Sequence, residues 1–230
     1  MTFSRKIALL GGGSILLMAV AAGFSYGYVN EQLVVADDAA ATVRNLQASP
    51  GLFLAGVCGW VLILLLDLLA AWALYRYLRP VNQAAALLMG VLRVVYAIIL
   101  GLGISHLLVA ADLLASAPVD TLVDQIPTLL QSFTDYWSLG LIVFGGHLVV
   151  LGYLAWRDPD THFIFSILLI LAGLSYLFIH GATQLALFPG KQIHQMETIL
   201  AVPMTIGELA YALWLVARGG RNRVMGWNLG

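Results

Sequence analysis

Six stretches of the chain are apolar almost without interruption, residues 7–29, 52–77, 84–114, 133–156, 163–187 and 199–217, and the charged and turn-forming residues collect between them. Each is long enough to cross hydrocarbon about 30 Å thick, which takes a helix of roughly 20 residues. The pattern predicts an all-α, polytopic membrane protein: one integral membrane domain, residues 1–230, folded as a six-transmembrane-helix bundle. The first stretch follows Arg5 and Lys6 and ends in small residues, as a secretory signal does, but its apolar run is longer than a signal core. It is predicted to be a retained anchor, with Gly23 and Gly27 as a small-xxx-small pair for helix packing.

The connections are lean. Turns at 78–81 and 158–162 are too short to hold a domain, and Pro80 and Pro159 suit a stop between helices. Residues 37–47 predict a short helix capped by an aspartate. In 118–131, Leu122, Val123, Ile126, Leu129 and Leu130 recur at helical spacing opposite Asp120 and Asp124, which predicts an amphipathic segment lying on the outer face.

Composition agrees with the pattern: 61% of residues are hydrophobic and 10% charged, far below the roughly 25% charged of soluble domains. A net charge of -1 leaves no broad basic surface, and no nucleic-acid motif appears, so membrane lipid is the expected surrounding and nucleic acid is not an expected partner. The single cysteine, Cys58, permits no intrachain disulfide and no C-x-x-C pair; in its apolar run it reads as a small core residue.

Basic residues set the expected orientation. Arg5, Lys6, Arg76, Arg79, Arg157, Arg218, Arg221 and Arg223 fall on one side of the six spans, and only Arg44 and Lys191 on the other. Basic loops stay in the cytoplasm, so both termini are predicted to be cytoplasmic, in a bacterial inner membrane. Most acids, among them Glu31, Asp37, Asp38, Asp112, Asp124 and Asp135, take the opposite side.

Four ionisable residues belong to no loop. Asp67 lies nine residues before Arg76, His147 ten before Arg157, and Glu208 ten before Arg218, so a rise of about 1.5 Å per residue puts all three roughly 14 to 15 Å above the inner boundary. Arg93, nine residues beyond Ala84, reaches about the same height from the other direction. An arginine keeps its proton, and an isolated charge at the centre of a membrane helix is costly. The cheapest arrangement turns Arg93 inward against Asp67, Glu208 or both, with His147 as a hydrogen-bonding or proton-accepting neighbour. Such a cluster either binds a small polar solute or proton, as in a carrier, or only holds helices in register, as in a structural subunit that joins a homo-oligomer or another membrane subunit.

Several runs together resemble a known family: DDAAATVRNL followed by GLFLAG, LYRYLRPV, LRVVYAIILGL, GGHLVVLGYLAWR, ILAGLSYL and IGELAYALWLVARG. In order and spacing they are similar to an uncharacterised bacterial six-span membrane family, domain of unknown function 4386, over nearly the whole chain. The resemblance implies that Asp67, Arg93, His147 and Glu208 occupy polar positions of the family pattern, and it implies no activity. The chain departs from that pattern at RDPDTHFIF, where the family turn is basic and proline-containing.

A second set of groups lies toward the outer face. His194 and Glu197 are three residues apart, a spacing that suits a divalent metal on one helix face. His106 and His180 are candidates for the axial ligands of a haem between facing helices, although helical rise places them about 33 Å and about 27 Å from the inner boundary. A haem- or metal-binding intramembrane enzyme is thus a third function class. No nucleophile elbow, P-loop or H-E-x-x-H motif points to a known enzyme.

Overall fold

The computed structural model describes residues 2–221, apart from the side chains of Asp120 and His194; Arg223 lies outside the described residues. Six helices are long and apolar enough to cross a membrane: α1 (Phe3–Leu33), α3 (Pro50–Leu78), α4 (Gln83–Ser116), α6 (Gln125–Arg157), α7 (Phe163–Gln184) and α8 (Gly190–Ala217). Two short helices, α2 (Ala39–Ala48) and α5 (Val119–Leu122), complete an architecture with no strand among the described residues.

Local chemistry starts and stops these helices. Asp38 Oδ1 accepts from the Ala41 N–H at 2.8 Å and caps α2, Asn82 Oδ1 accepts from Ala85 N–H at 3.0 Å at the head of α4, and Pro50 opens α3 where its missing donor costs nothing. At the other end of the bundle the Arg5 guanidinium donates to the carbonyls of Leu215 and Gly219, each at 2.9 Å, and to that of Val216. It satisfies the last turn of α8 with a cation, the sign the helix dipole favours there. In the turn between α6 and α7, buried Asp158 accepts from the Thr161 hydroxyl at 2.8 Å and from the Asp160 N–H at 3.2 Å. An Asx-type turn therefore joins α6 to α7.

Five of the six long helices extend beyond their apolar runs, while α7 stops at Gln184, short of the expected end at 187. α6 begins at Gln125 rather than at 133 and α8 at Gly190 rather than at 199. Apolar length marks where a helix meets hydrocarbon, whereas the backbone ladder continues until something breaks it, and Pro127 in the first turn of α6 does not. The amphipathic segment 118–131 is divided between α5 and the start of α6, and its apolar side, Leu122 and Ile126, is fully buried against the bundle.

The six long helices form a closed ring in chain order: α1 packs on α3, α3 on α4, α4 on α6, α6 on α7, α7 on α8, and α8 on α1. Close joins are made at glycine. A Cβ at Gly145 would lie 2.8 Å from the Gly173 carbonyl oxygen across the α6/α7 join, and one at Gly207 would lie 2.6 Å from the Leu168 carbonyl across α7/α8. The predicted pair Gly23 and Gly27 packs against nothing: a Cβ at either meets no atom within 4 Å. They lie in a π-helical stretch, Gly23–Asn30, whose wider turn rotates them off the helix joins. Cys58 is likewise corrected from a core residue to an exposed one. It points outward with Val20, Leu65, Ile98 and Leu213, and an outer surface this apolar is suited to lipid rather than water.

Candidate functional site

Ring closure in chain order brings inward-facing side chains of five helices to one centre. Arg93, from α4, is 1% exposed and ranks first among the fully buried side chains by volume. Its Nε donates to Asp67 Oδ1 of α3 at 2.9 Å, and Nη2 lies 2.9 Å from the same oxygen. Nη1 donates to Glu208 Oε1 of α8 at 2.5 Å and to His147 Nε2 of α6 at 3.0 Å, while Nη2 also meets the Met18 sulfur of α1 at 3.9 Å. The guanidinium carbon stands 5.3 Å from the centre of the Phe144 ring, within cation–π range. Each nitrogen of the guanidinium thereby has a partner.

The hydrogen bonds also settle the histidine. His147 Nδ1 is 2.8 Å from the Met89 carbonyl oxygen, which only accepts, so Nδ1 carries the hydrogen. Nε2 faces a guanidinium, which only donates, so it presents its lone pair. His147 is therefore a neutral imidazole, gripped by two residues of α4 four positions apart. One arginine then faces two carboxylates, and with both ionised the network holds one net negative charge. Burial is uneven across it: the side chain of Asp67 is 2% exposed and that of Glu208 15% exposed. Asp67 Oδ2 has no hydrogen-bond partner among the described residues.

The structure thus joins the four midplane residues expected to meet. It adds Met18, Phe144 and the Met89 carbonyl, none of which carries a polar side chain to mark it in the sequence. Phe144 had one signal, its position three residues before His147 on the same helix face.

The outer histidines are not brought together. His106 leans on Tyr136 of α6 with ring centres 5.2 Å apart, and His180 pairs through Nδ1 with the Ser138 hydroxyl of α6 at 3.0 Å. Residues 136 and 138 lie about 200° apart around a helix, so α6 stands between the two imidazoles. They are not placed as axial ligands of one haem. The side chain of His194 lies outside the described residues, so its spacing to Glu197 has no geometric counterpart here. Among the described residues no group of three His, Cys, Asp or Glu side chains is placed to hold a metal ion.

A family model described as a domain of unknown function, DUF4386, matches residues 10–219. The chain belongs to this family. Within the DUF4386 frame, all four residues of the buried network and the five long helices after α1 fall inside the matched span, which begins at residue 10 within α1. A similar protein is an uncharacterized protein of Archaeoglobus fulgidus, 29% identical over 163 residues, which cover 71% of this chain and 83% of that protein. No solved structure matches the chain.

Proposed function

We propose that this DUF4386 protein is a proton-binding, transporter-like protein of the cytoplasmic membrane, with both termini inside, and that the Asp67–Arg93–Glu208 network is its proton site. The observation that carries this reading is the charge balance: two carboxylates against one guanidinium, with Asp67 Oδ2 buried and without a hydrogen-bond partner among the described residues. An uncompensated charge there is costly, and one proton neutralises the network without breaking a hydrogen bond to Arg93. Glu208, the more exposed carboxylate, is the point of entry. A larger anionic solute fits less well, because each guanidinium nitrogen of Arg93 already has a partner.

That same completeness favours a second reading, a structural subunit in which the network fixes helix register and the lipid-facing surface meets a second copy or a partner subunit. Infrared difference spectroscopy of the purified protein through a pH titration separates the two. A proton site gives a carboxylic C=O band that comes and goes with pH and is lost in both Asp67→Asn and Glu208→Gln. A network that only holds helices together gives no titrating band, and the proton reading then falls.

A further inference from the structure

A pocket of about 640 Å³ opens at the end of the bundle remote from Phe3 and Ala217, between the π-helical part of α1, the connection to α2, and the near ends of α3, α4 and α6. Its size lies within the range of small-molecule sites. The wall is apolar and aromatic, with Phe53, Val57 and Trp60 from α3, Phe133 from α6 and Val29 from α1. Trp60 is buttressed edge-on by Phe133 at 4.9 Å and by Trp137 at 5.0 Å, so this side of the pocket is preformed. The α1 side is held as closely: a Cβ at Gly56 would lie 2.9 Å from Val29, and one at Gly59 only 2.0 Å from Ser25 Oγ.

Three features define what the pocket accepts. Its charged lining residues are Asp37 and Asp38, and among the described residues no lysine or arginine lines it. Asp38 is committed to capping α2, which leaves Asp37 as the open carboxylate; it is exposed, on a left-handed turn with φ of 59°. Ser25, 3% exposed on the wall, carries a hydroxyl with no partner among the described residues. An anionic head at this mouth meets only like charge, whereas a cationic one meets Asp37 and the aromatic faces below it.

We infer that this pocket is a binding site for an amphiphile with an apolar body and an ammonium-type cationic head, which enters body first and leaves its charge at Asp37. Such a head has two sources, a soluble lipophilic amine or an ammonium-bearing lipid of the surrounding leaflet.

The probes are tetraphenylphosphonium and tetraphenylborate, which share shape and size and differ in the sign of charge. Saturable quenching of tryptophan fluorescence in the purified full chain reads binding, and Trp60→Phe identifies the tryptophan quenched. The cation is expected to bind with about one equivalent per chain, and at least about tenfold more tightly than the anion in its saturable component. Asp37→Asn, which keeps a residue tolerant of the left-handed turn, lowers cation affinity about fivefold, the scale of one near-surface charge pair. Thr134→Lys, an exposed change at the mouth, lowers it further and raises that of the anion. Equal binding of the two probes, or a preference unmoved by both substitutions, overturns the proposal. In nanodiscs of constant phosphatidylglycerol content, weaker phosphonium binding when phosphatidylethanolamine replaces monogalactosyldiacylglycerol, a neutral lipid without an ammonium group, assigns the head to a lipid. Unchanged binding assigns it to a soluble amine.

Discussion

At the scale of single residues, the governing fact is that Arg93 has no alternative to its partners. It is too deep to extend its guanidinium to water, and each carboxylate it touches lies on a different helix. Removing one partner of a buried ion pair costs about 3–5 kcal/mol because a charge is left alone, whereas removing both is far milder. Asp67→Asn and Arg93→Gln should therefore each lower the melting temperature in detergent steeply, and the double substitution should recover part of the loss. Additive effects of the two changes would show that the contact contributes nothing. The heights of these residues were legible in the sequence because a helix rises by a fixed amount per residue, and the inward rotation of Arg93 was legible from the cost of its charge. Rotation was not legible where no charge enforced it. Cys58 faces outward although its apolar neighbours suggested a core position, since in a bilayer both faces of a helix are apolar and the pattern loses its phase. Met18 escaped notice for the same reason: nothing apolar in α1 distinguishes the residue that meets a guanidinium from one that meets lipid.

At the scale of the helix, the ring is held by close approach at glycines that the sequence does not rank. Chain order and the number of spans follow from apolar length alone, but of 23 glycines the sequence cannot say which meet a neighbour. Gly23 and Gly27 have the spacing of a packing pair and open space around them, while Gly145 and Gly173 face each other across the consecutive helices α6 and α7 with no shared spacing to mark them. The missing information is helix rotation, and the π-helical stretch in α1 changes that rotation locally. A methyl group added where backbone blocks it forces the helices apart, at about 1–3 kcal/mol, and one added to open space costs little or is slightly favourable. Gly145→Ala and Gly173→Ala should each lower the detergent melting temperature by several degrees, and Gly23→Ala and Gly27→Ala should not. Thermal unfolding of the four variants, followed by fluorescence, checks the contrast. Equal sensitivity at all four positions would contradict the α6/α7 join described here.

At the scale of the whole molecule, the two ends of the bundle differ in chemistry, and that difference determines how it should sit in a membrane. One end presents Arg5, Lys6, Arg76, Arg79, Arg157 and Arg218 in terminal helix turns and the short turns beside them, and uses one of these cations to close α8 onto α1. The other presents Asp37, Asp38, Asp124 and Asp135 around the amphiphile pocket and the α5 segment. Basic turns of this length resist translocation, so the arginine end is expected in the cytoplasm and the acidic pocket on the opposite side. The helices themselves carry no sign of direction, which is why this follows from loop charge and not from packing. Cys58 offers a direct measurement. It is the chain's single cysteine and lies on the outer, apolar surface, so Cys58→Ser should leave the fold intact and provide a background free of thiols. New cysteines at Thr121 and Pro159, both exposed and at opposite ends, then report the two sides. A membrane-impermeant maleimide added to intact cells should label Thr121→Cys and reach Pro159→Cys only after the membrane is opened. The reverse pattern would place the acidic pocket in the cytoplasm and leave the proposed proton site with the opposite polarity. Labelling of both in intact cells would mean that one of the six helices does not cross, and would break the ring on which the Arg93 network depends.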